Sequence, residues 1–404
     1  MTETGQSRPA TTNDRMLLVA LGTATFLAAL NFFAISPFTT EIAADLDTSV
    51  ALIGQITMLM ILTSAVLGLA IGPVTDQIGH RMPLVAGMVA VGINLIGLSL
   101  ATNYYLMIAL AIVGGFADAI VFSLPFAIIS ARLAPDRQAR AVSTAFAALS
   151  AAPILGTPLL TFVGSLGSWR TALAVAGVVA VAAAFFAYSV IPPDTQTTHR
   201  STIGLRHILD AYLPIWRDPN LSGLMISTLL RSVTWIGAIT YLGALFDEQF
   251  GLSTRAVGLI FTVTGIGAIT GSMIGGRFRG MPLRNLALVA FVGIGVFTCV
   301  VFASDHRALA IVGVFLAACC STVGNVTSGS LIMRESRAGA GTTMVLNGTM
   351  INFGSALGAA LGGLLLHKYG YRGIGIGLPI FSFAAAVILV RTAQSAKERP
   401  VAPV

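Results

Sequence analysis

The sequence predicts an all-α membrane protein of twelve transmembrane helices arranged as two pseudo-symmetric six-helix bundles. Three observations carry this. Only 10% of the 404 residues are charged and 55% are hydrophobic, with a mean hydropathy of +0.87, whereas a soluble domain carries about 25% charged residues. The apolar residues gather into twelve runs of membrane-spanning length. Short motifs also recur at an offset near 200 residues. Too little charge is present to solvate the surface of a soluble enzyme of this size, so that class is excluded.

A hydrocarbon core about 30 Å thick needs about 20 apolar residues per helix. Apolar runs read against polar breaks place spans 1 to 6 at Arg15–Phe38, Val50–Ile71, Pro83–Ala101, Leu106–Ser130, Ala139–Phe162 and Trp169–Ile191. Spans 7 to 12 follow at Leu221–Phe246, Ala256–Gly276, Asn285–Ala303, Ala308–Met333, Gly341–Leu366 and Gly373–Val390. The polar segment 192–220 links residues 15–191 to residues 221–390, and tails of 1–14 and 391–404 flank them. Residues 1–14 are polar and the first apolar run is too long for a signal-peptide core, so no cleavable signal is expected. Pro37, Pro125, Pro153, Pro158 and Pro379 fall inside spans, where proline kinks a helix.

The basic residues set the expected topology. With the amino terminus inside, 17 of the 23 Lys/Arg fall in inside segments, and five (Arg170, Arg255, Arg307, Lys368 and Arg372) fall outside. The positive-inside rule then puts both termini and the central segment in the cytoplasm of a cell (inner) membrane protein. The net charge of +7 is accounted for by these loops and does not indicate nucleic-acid binding. Cys299, Cys319 and Cys320 lie in apolar runs and read as small hydrophobes. The five histidines are scattered, so neither a metal site nor a cofactor is expected. No nucleophile or metal-hydrolase motif marks an enzyme.

The repeat is carried by three matches. Ile112–Phe116 echoes Ile311–Phe315 and Met82–Leu84 echoes Met281–Leu283, both at an offset of 199, while Leu155-Gly156 echoes Leu357-Gly358 at 202. Parallel halves of this kind imply a central site near the midplane. Gly68/Gly72, Gly271/Gly275 and Gly354/Gly358/Gly362 have GxxxG spacing. Absent side chains let helix backbones approach, and contact within one chain is expected over dimerisation, so the protein is read as a monomer.

The loop after span 2 runs Gly72-Pro-Val-Thr-Asp76-Gln-Ile-Gly79-His-Arg81. It resembles the G-x-L-A-D-R-x-G-R-R/K signature of the major facilitator superfamily at Gly72, Asp76, Gly79 and Arg81. Within that superfamily the chain is similar to the twelve-helix drug/proton antiporter branch, which includes arabinose-efflux-like permeases. The span-5 pattern Ala152-Pro153-Ile154-Leu155-Gly156-Thr157 matches that branch's G-P-x-x-G-G at Pro153 and Gly156. Trp169-Arg170 opening span 6 is also similar. Two departures stand out: the branch's arginine in span 4 is replaced by Ala111, and its acid in span 1 is absent, the polar residue there being Asn31. The resemblance implies a gating role for Asp76, capping span 11 near Gly339–Gly341 when the cytoplasmic side is closed.

It also implies that spans 1, 4, 7 and 10 line a central cavity. Two ionisable residues lie deep in those spans, Asp118 in span 4 and Arg231 in span 7. An unpaired charge at a helix centre costs roughly 2.5–3.5 kcal/mol, so each needs a wet cavity or a partner. Their alternate pairing and parting, with Asp118 ionised when paired and protonated when parted, is the expected proton-coupling device. Asn31, Phe32, Phe122, Arg231, Trp235, Thr322 and Asn325 are the expected substrate-binding residues, with Asn347 of span 11 beside them. The expected function is secondary active transport by alternating access, with proton-coupled efflux of small hydrophobic or amphipathic, drug-like solutes. The alternative is a facilitator or importer of a sugar-like or small anionic solute without proton coupling. The expected partners are the solute, protons and the lipid bilayer.

Overall fold

The computed structural model describes residues 12–133, 135–193, 212–277, 280–335 and 340–397. Helix is the dominant element, and no strand occurs among the described residues. Spans 1 to 6 run Thr12–Phe33, Val50–Ile78, Arg81–Leu100, Tyr104–Arg132, Pro135–Leu166 (α-helix to Ala151 and again from Thr157) and Trp169–Val190. Spans 7 to 10 run Pro219–Ile239, Thr254–Arg277, Leu283–Ala303 and Arg307–Glu335. The apolar stretch that follows, Thr343–Thr392, is 50 residues long, too long for one crossing. It turns at Gly370, whose φ of 66° and ψ of −166° are non-helical. Glycine carries a positive φ at no steric cost, and the turn yields spans 11 and 12, making twelve crossings among the described residues. Most of the linker and the tails expected from the sequence lie outside the described residues.

Local sequence explains several of the helix starts. Ser49, Asn103, Ser168 and Asp218 each sit one residue before a span and accept from a backbone N–H of its first turn, at 3.3, 2.9, 3.3 and 2.9 Å respectively. Such caps satisfy donors that the helix leaves free. Two large hydrophobic cores form, one from Leu17 to Ile191 and one from Ile215 to Leu389, with a small cluster of Leu286, Ala290, Cys319 and Val323 beside the second. Each half therefore packs as its own bundle. In lipid the apolar effect between helices is lost, so close packing and interhelical hydrogen bonds hold them. Thr234 Oγ1 donates to the Leu378 carbonyl at 2.8 Å, joining spans 7 and 12, and Ser382 Oγ donates to the Phe291 carbonyl at 2.7 Å, joining spans 12 and 9.

The glycine spacings resolve unequally. A Cβ on Gly358 would lie 2.8 Å from Gly237 Cα, and one on Gly354 would lie 2.9 Å from the Leu229 carbonyl carbon, so span 11 rests directly on span 7. Gly271 meets the Cys319 backbone in the same way, joining spans 8 and 10. These are contacts within the chain. Gly68 departs from the expectation: nothing lies within 4 Å of the place its Cβ would take, so it is not a packing glycine here.

Three short helices add to the expected spans. Ser36–Phe38 and Thr39–Asp45 follow span 1, and Leu242–Glu248 follows span 7. The expected spans 1 and 7 ran straight into these segments. They occupy equivalent places in the two halves, after the first span of each and so at the opposite end of span 1 from Thr12, which we call the distal side. There they join the halves. Ser36 Oγ donates to the Ile239 carbonyl at 2.8 Å and the Thr240 carbonyl at 3.1 Å. Thr40 of the first half donates to Asp247 of the second, and Thr254 of the second half donates to Glu41 of the first. Arg255 Nε donates to Ser165 Oγ at 2.5 Å. The distal side is thus sealed across the halves.

Candidate functional site

Asp118 sits one turn after Gly114 on the face of span 4 that meets spans 1 and 3. It is 3% exposed. Asn31 Nδ2 donates to Asp118 Oδ1 at 2.9 Å, and Asn94 Nδ2 of span 3 donates to Asn31 Oδ1 at 2.9 Å. Gly114 makes room for this: a Cβ there would stand 2.7 Å from Asn94 Nδ2. The result is a directed polar chain, Asn94 to Asn31 to Asp118, inside the first bundle. Asn94 Oδ1 is buried without a partner. Asn94 was not among the expected site residues, although a lone amide between Ile93 and Leu95 is the same kind of signal as Asn31.

Arg231 lies in the second bundle and is 2% exposed. Its Nη1 donates to the Ser321 carbonyl at 3.4 Å and its Nη2 to Asn325 Oδ1 at 3.3 Å, both on span 10. Nε is buried without a partner, and the Phe291 ring centroid is 6.0 Å from the guanidinium carbon. Gly324 admits the arginine stem, because a Cβ there would come within 3.1 Å of Arg231 Cδ. Asp118 and Arg231 form no ion pair; the hydrogen bonds of each stay within its own half. The expected pairing is therefore not a feature of this conformation.

Asn325 is exposed although it lies in mid-span. The lipid-facing residues of the same helix, Leu309 and Val312, point the opposite way. Asn325 consequently lies on the opposite face of span 10 from those residues, with Arg231 lodged behind it. Thr322, one turn earlier, is half-buried and donates to its own helix at the Ala318 carbonyl, 3.1 Å away. Phe32 and Phe122 are half-buried, and the Phe32 ring meets Phe33 edge-on at 5.0 Å. Trp235 is buried in the second core, and Asn347 is buried with its Oδ1 unpartnered. The structure thus gathers Arg231, Asn325 and Thr322 in one place, Asn31 and Asp118 in another, and sets Trp235 and Asn347 away from open space.

The span-5 pattern lies where the two halves touch. Ala152–Gly156 is one π-helical turn. Pro158 has no N–H to offer the Ile154 carbonyl one turn back, and that carbonyl accepts from Thr262 Oγ1 of span 8 at 3.2 Å. A Cβ on Gly156 would press within 2.9 Å of Phe26 of span 1. In the loop after span 2, Gly79 has a φ of 86°, which glycine adopts freely. Arg81 donates to the Tyr188 carbonyl at 2.6 Å and stacks 4.2 Å above the Tyr188 ring. The surroundings of Gly72 and the side chain of Asp76 lie outside what is described, as does Gly339, so the expected cap of Asp76 on span 11 falls there too.

Twelve apolar helices in two bundles, each holding polar residues at mid-depth, define a multi-pass membrane protein. The model of the Major Facilitator Superfamily matches residues 21–279 and 224–403, so the chain belongs to that superfamily. AraJ of Escherichia coli (strain K12) is 24% identical over 381 residues, covering 92% of this chain and 93% of AraJ. The crystal structure of a bacterial homologue of the human lysosomal transporter Spinster, inward-facing and unoccupied, superposes with a TM-score of 0.77 at 15% identity. It covers 98% of this chain and 100% of that one. The nucleoside transporter NupG superposes with a TM-score of 0.72 at 14% identity, covering 95% and 100%. The resemblance read from the loop after span 2 is borne out.

Proposed function

We propose that the protein is a proton-coupled transporter that exports small amphipathic solutes by alternating access, with Asp118 as the proton-carrying group. One observation carries this reading. Asp118 is an acid buried at mid-span with no cation beside it, held by a neutral amide. Burying an ionised carboxylate without a cation is expensive, so the group is fitted to carry a proton in this state and to release it when the bundles rearrange. The Asn94–Asn31 chain orients the carboxyl. The distal seal supports a state closed on that side, and the basic-residue bias supports a cytoplasmic placement of the opposite side.

The test is transport in proteoliposomes under an imposed pH gradient. Wild type accumulates solute against its gradient, and Asp118→Asn transports only downhill. Accumulation by the variant would remove Asp118 from the coupling step. The separation of Asp118 from Arg231 favours one other reading, a facilitator in which the Asn94–Asn31–Asp118 chain is structural; pH-independent downhill transport by wild type would select it. Orientation is read by labelling single cysteines placed at Ala308 (distal) and Met281 (opposite) with an impermeant maleimide, the three native cysteines having been replaced by alanine. Labelling of Ala308→Cys from outside intact cells is expected, and labelling of Met281→Cys instead would invert the topology.

A further inference from the structure

Arg231 is more deeply buried and more poorly satisfied than its surroundings require. A guanidinium has five donors. Here two are used, at 3.3 and 3.4 Å, and Nε has no partner. Charge-assisted N–H···O bonds settle at about 2.7–2.9 Å, so neither contact is a close ionic one. Spans 9, 11 and 12, which surround span 7 with span 10, have no acidic residue in their described membrane stretches. Span 10 has Glu335 at its far end, already within 3.5 Å of Arg284. Among the described residues, the positive charge at the centre of the second bundle therefore has no counter-ion. Asn325, which Arg231 touches, is exposed at mid-span on the face of span 10 opposite Leu309 and Val312.

We infer that Arg231 and Asn325 form an oxyanion subsite, and that the transported solute carries a carboxylate or a like singly charged oxyanion on an apolar body. The oxyanion displaces the Asn325 amide oxygen from Nη2 and takes the geometry that an arginine fork offers to two oxygens. Asn325 then turns its amide nitrogen to the same group. Thr322, half-buried on the same face, borders the subsite, and Phe32 and Phe122 offer half-buried apolar surface on the facing half for the body of the solute. This deepens the transport reading by naming the solute class, and it does not depend on Asp118 carrying a proton.

The test uses purified full-length protein in lipid nanodiscs and three fluorescent probes with the same ring system: dansylglycine (anionic), its methyl ester (neutral) and dansylcadaverine (cationic). Wild type is expected to bind the carboxylate about ten-fold or more tightly than the ester, the difference that a charge-assisted bond supplies. Arg231→Gln is expected to bring that ratio to about one while ester binding persists, which also reports that the variant is folded. Arg231→Lys keeps part of the preference. Gly68→Ala, at a position with nothing within 4 Å and outside the site, keeps all of it, and no arm uses a pH gradient, so failure of proton coupling and failure of the subsite are read separately. Equal binding of carboxylate and ester by wild type, a preference for the cation, or a preference that survives Arg231→Gln would each overturn the inference.

Discussion

Asn31 donates its side-chain amide to Asp118 across the interface of spans 1 and 4, at 2.9 Å, and at the same time accepts from Asn94 at 2.9 Å. Asn31 is thus the middle of a three-residue chain with no charge partner. It fixes where the Asp118 carboxyl points, and through span 1 it connects that carboxyl to the distal helices that join the halves.

Asn31→Ala strips both neighbours of a partner at once. Leaving buried polar groups unsatisfied costs about 1–3 kcal/mol, so thermal unfolding in detergent is expected to shift down by a corresponding amount. Uphill transport is expected to fall several-fold, with downhill exchange less affected. Unchanged stability and coupling would mean that the chain has no role.

Spans 7 and 11 touch through glycines. Gly358→Ala forces a methyl into the Val233 and Gly237 backbones and is expected to cost about 1–3 kcal/mol, the usual price of overpacking. Gly348→Ala, on the same span with nothing within 4 Å, is expected to be neutral or to stabilise by up to about 1 kcal/mol through helix propensity. Melting temperatures of the two single variants test the contrast.

Thr262→Val removes the donor to the Ile154 carbonyl. The loss is expected at about 1 kcal/mol, and Thr262→Ser is expected to restore it. Chemical or thermal unfolding of both variants in nanodiscs measures this, and identical losses in the two would mean that the hydroxyl is idle.

The distal seal predicts a population shift. Thr40→Val with Thr254→Val deletes the reciprocal bonds to Asp247 and Glu41. At about 1 kcal/mol each, their removal shifts the balance toward a distal-open state by roughly ten-fold or more. Spin labels at Ala44 and Gln249 are expected to gain a longer-distance component. A distance distribution like that of wild type would show that the seal rests on packing alone.

The sequence by itself determined the number of crossings, the break between two six-helix halves and the superfamily, because hydropathy and motif spacing are local properties of the chain. It also located the two deep charges, since any ionisable residue inside an apolar run stands out. Only the tertiary structure decided what those charges touch. Asp118 and Arg231 share a depth in the membrane, but partnership depends on the direction each side chain takes around its helix. Packing turns Asp118 toward Asn31 and Arg231 toward Asn325. The short helices after spans 1 and 7 escaped notice because apolar composition continues through Phe38 and Phe246 while the backbone changes direction. Asn94 escaped because its importance comes from a neighbour 63 positions away. Helical periodicity tells which residues share a face, and neighbouring helices alone tell what that face meets.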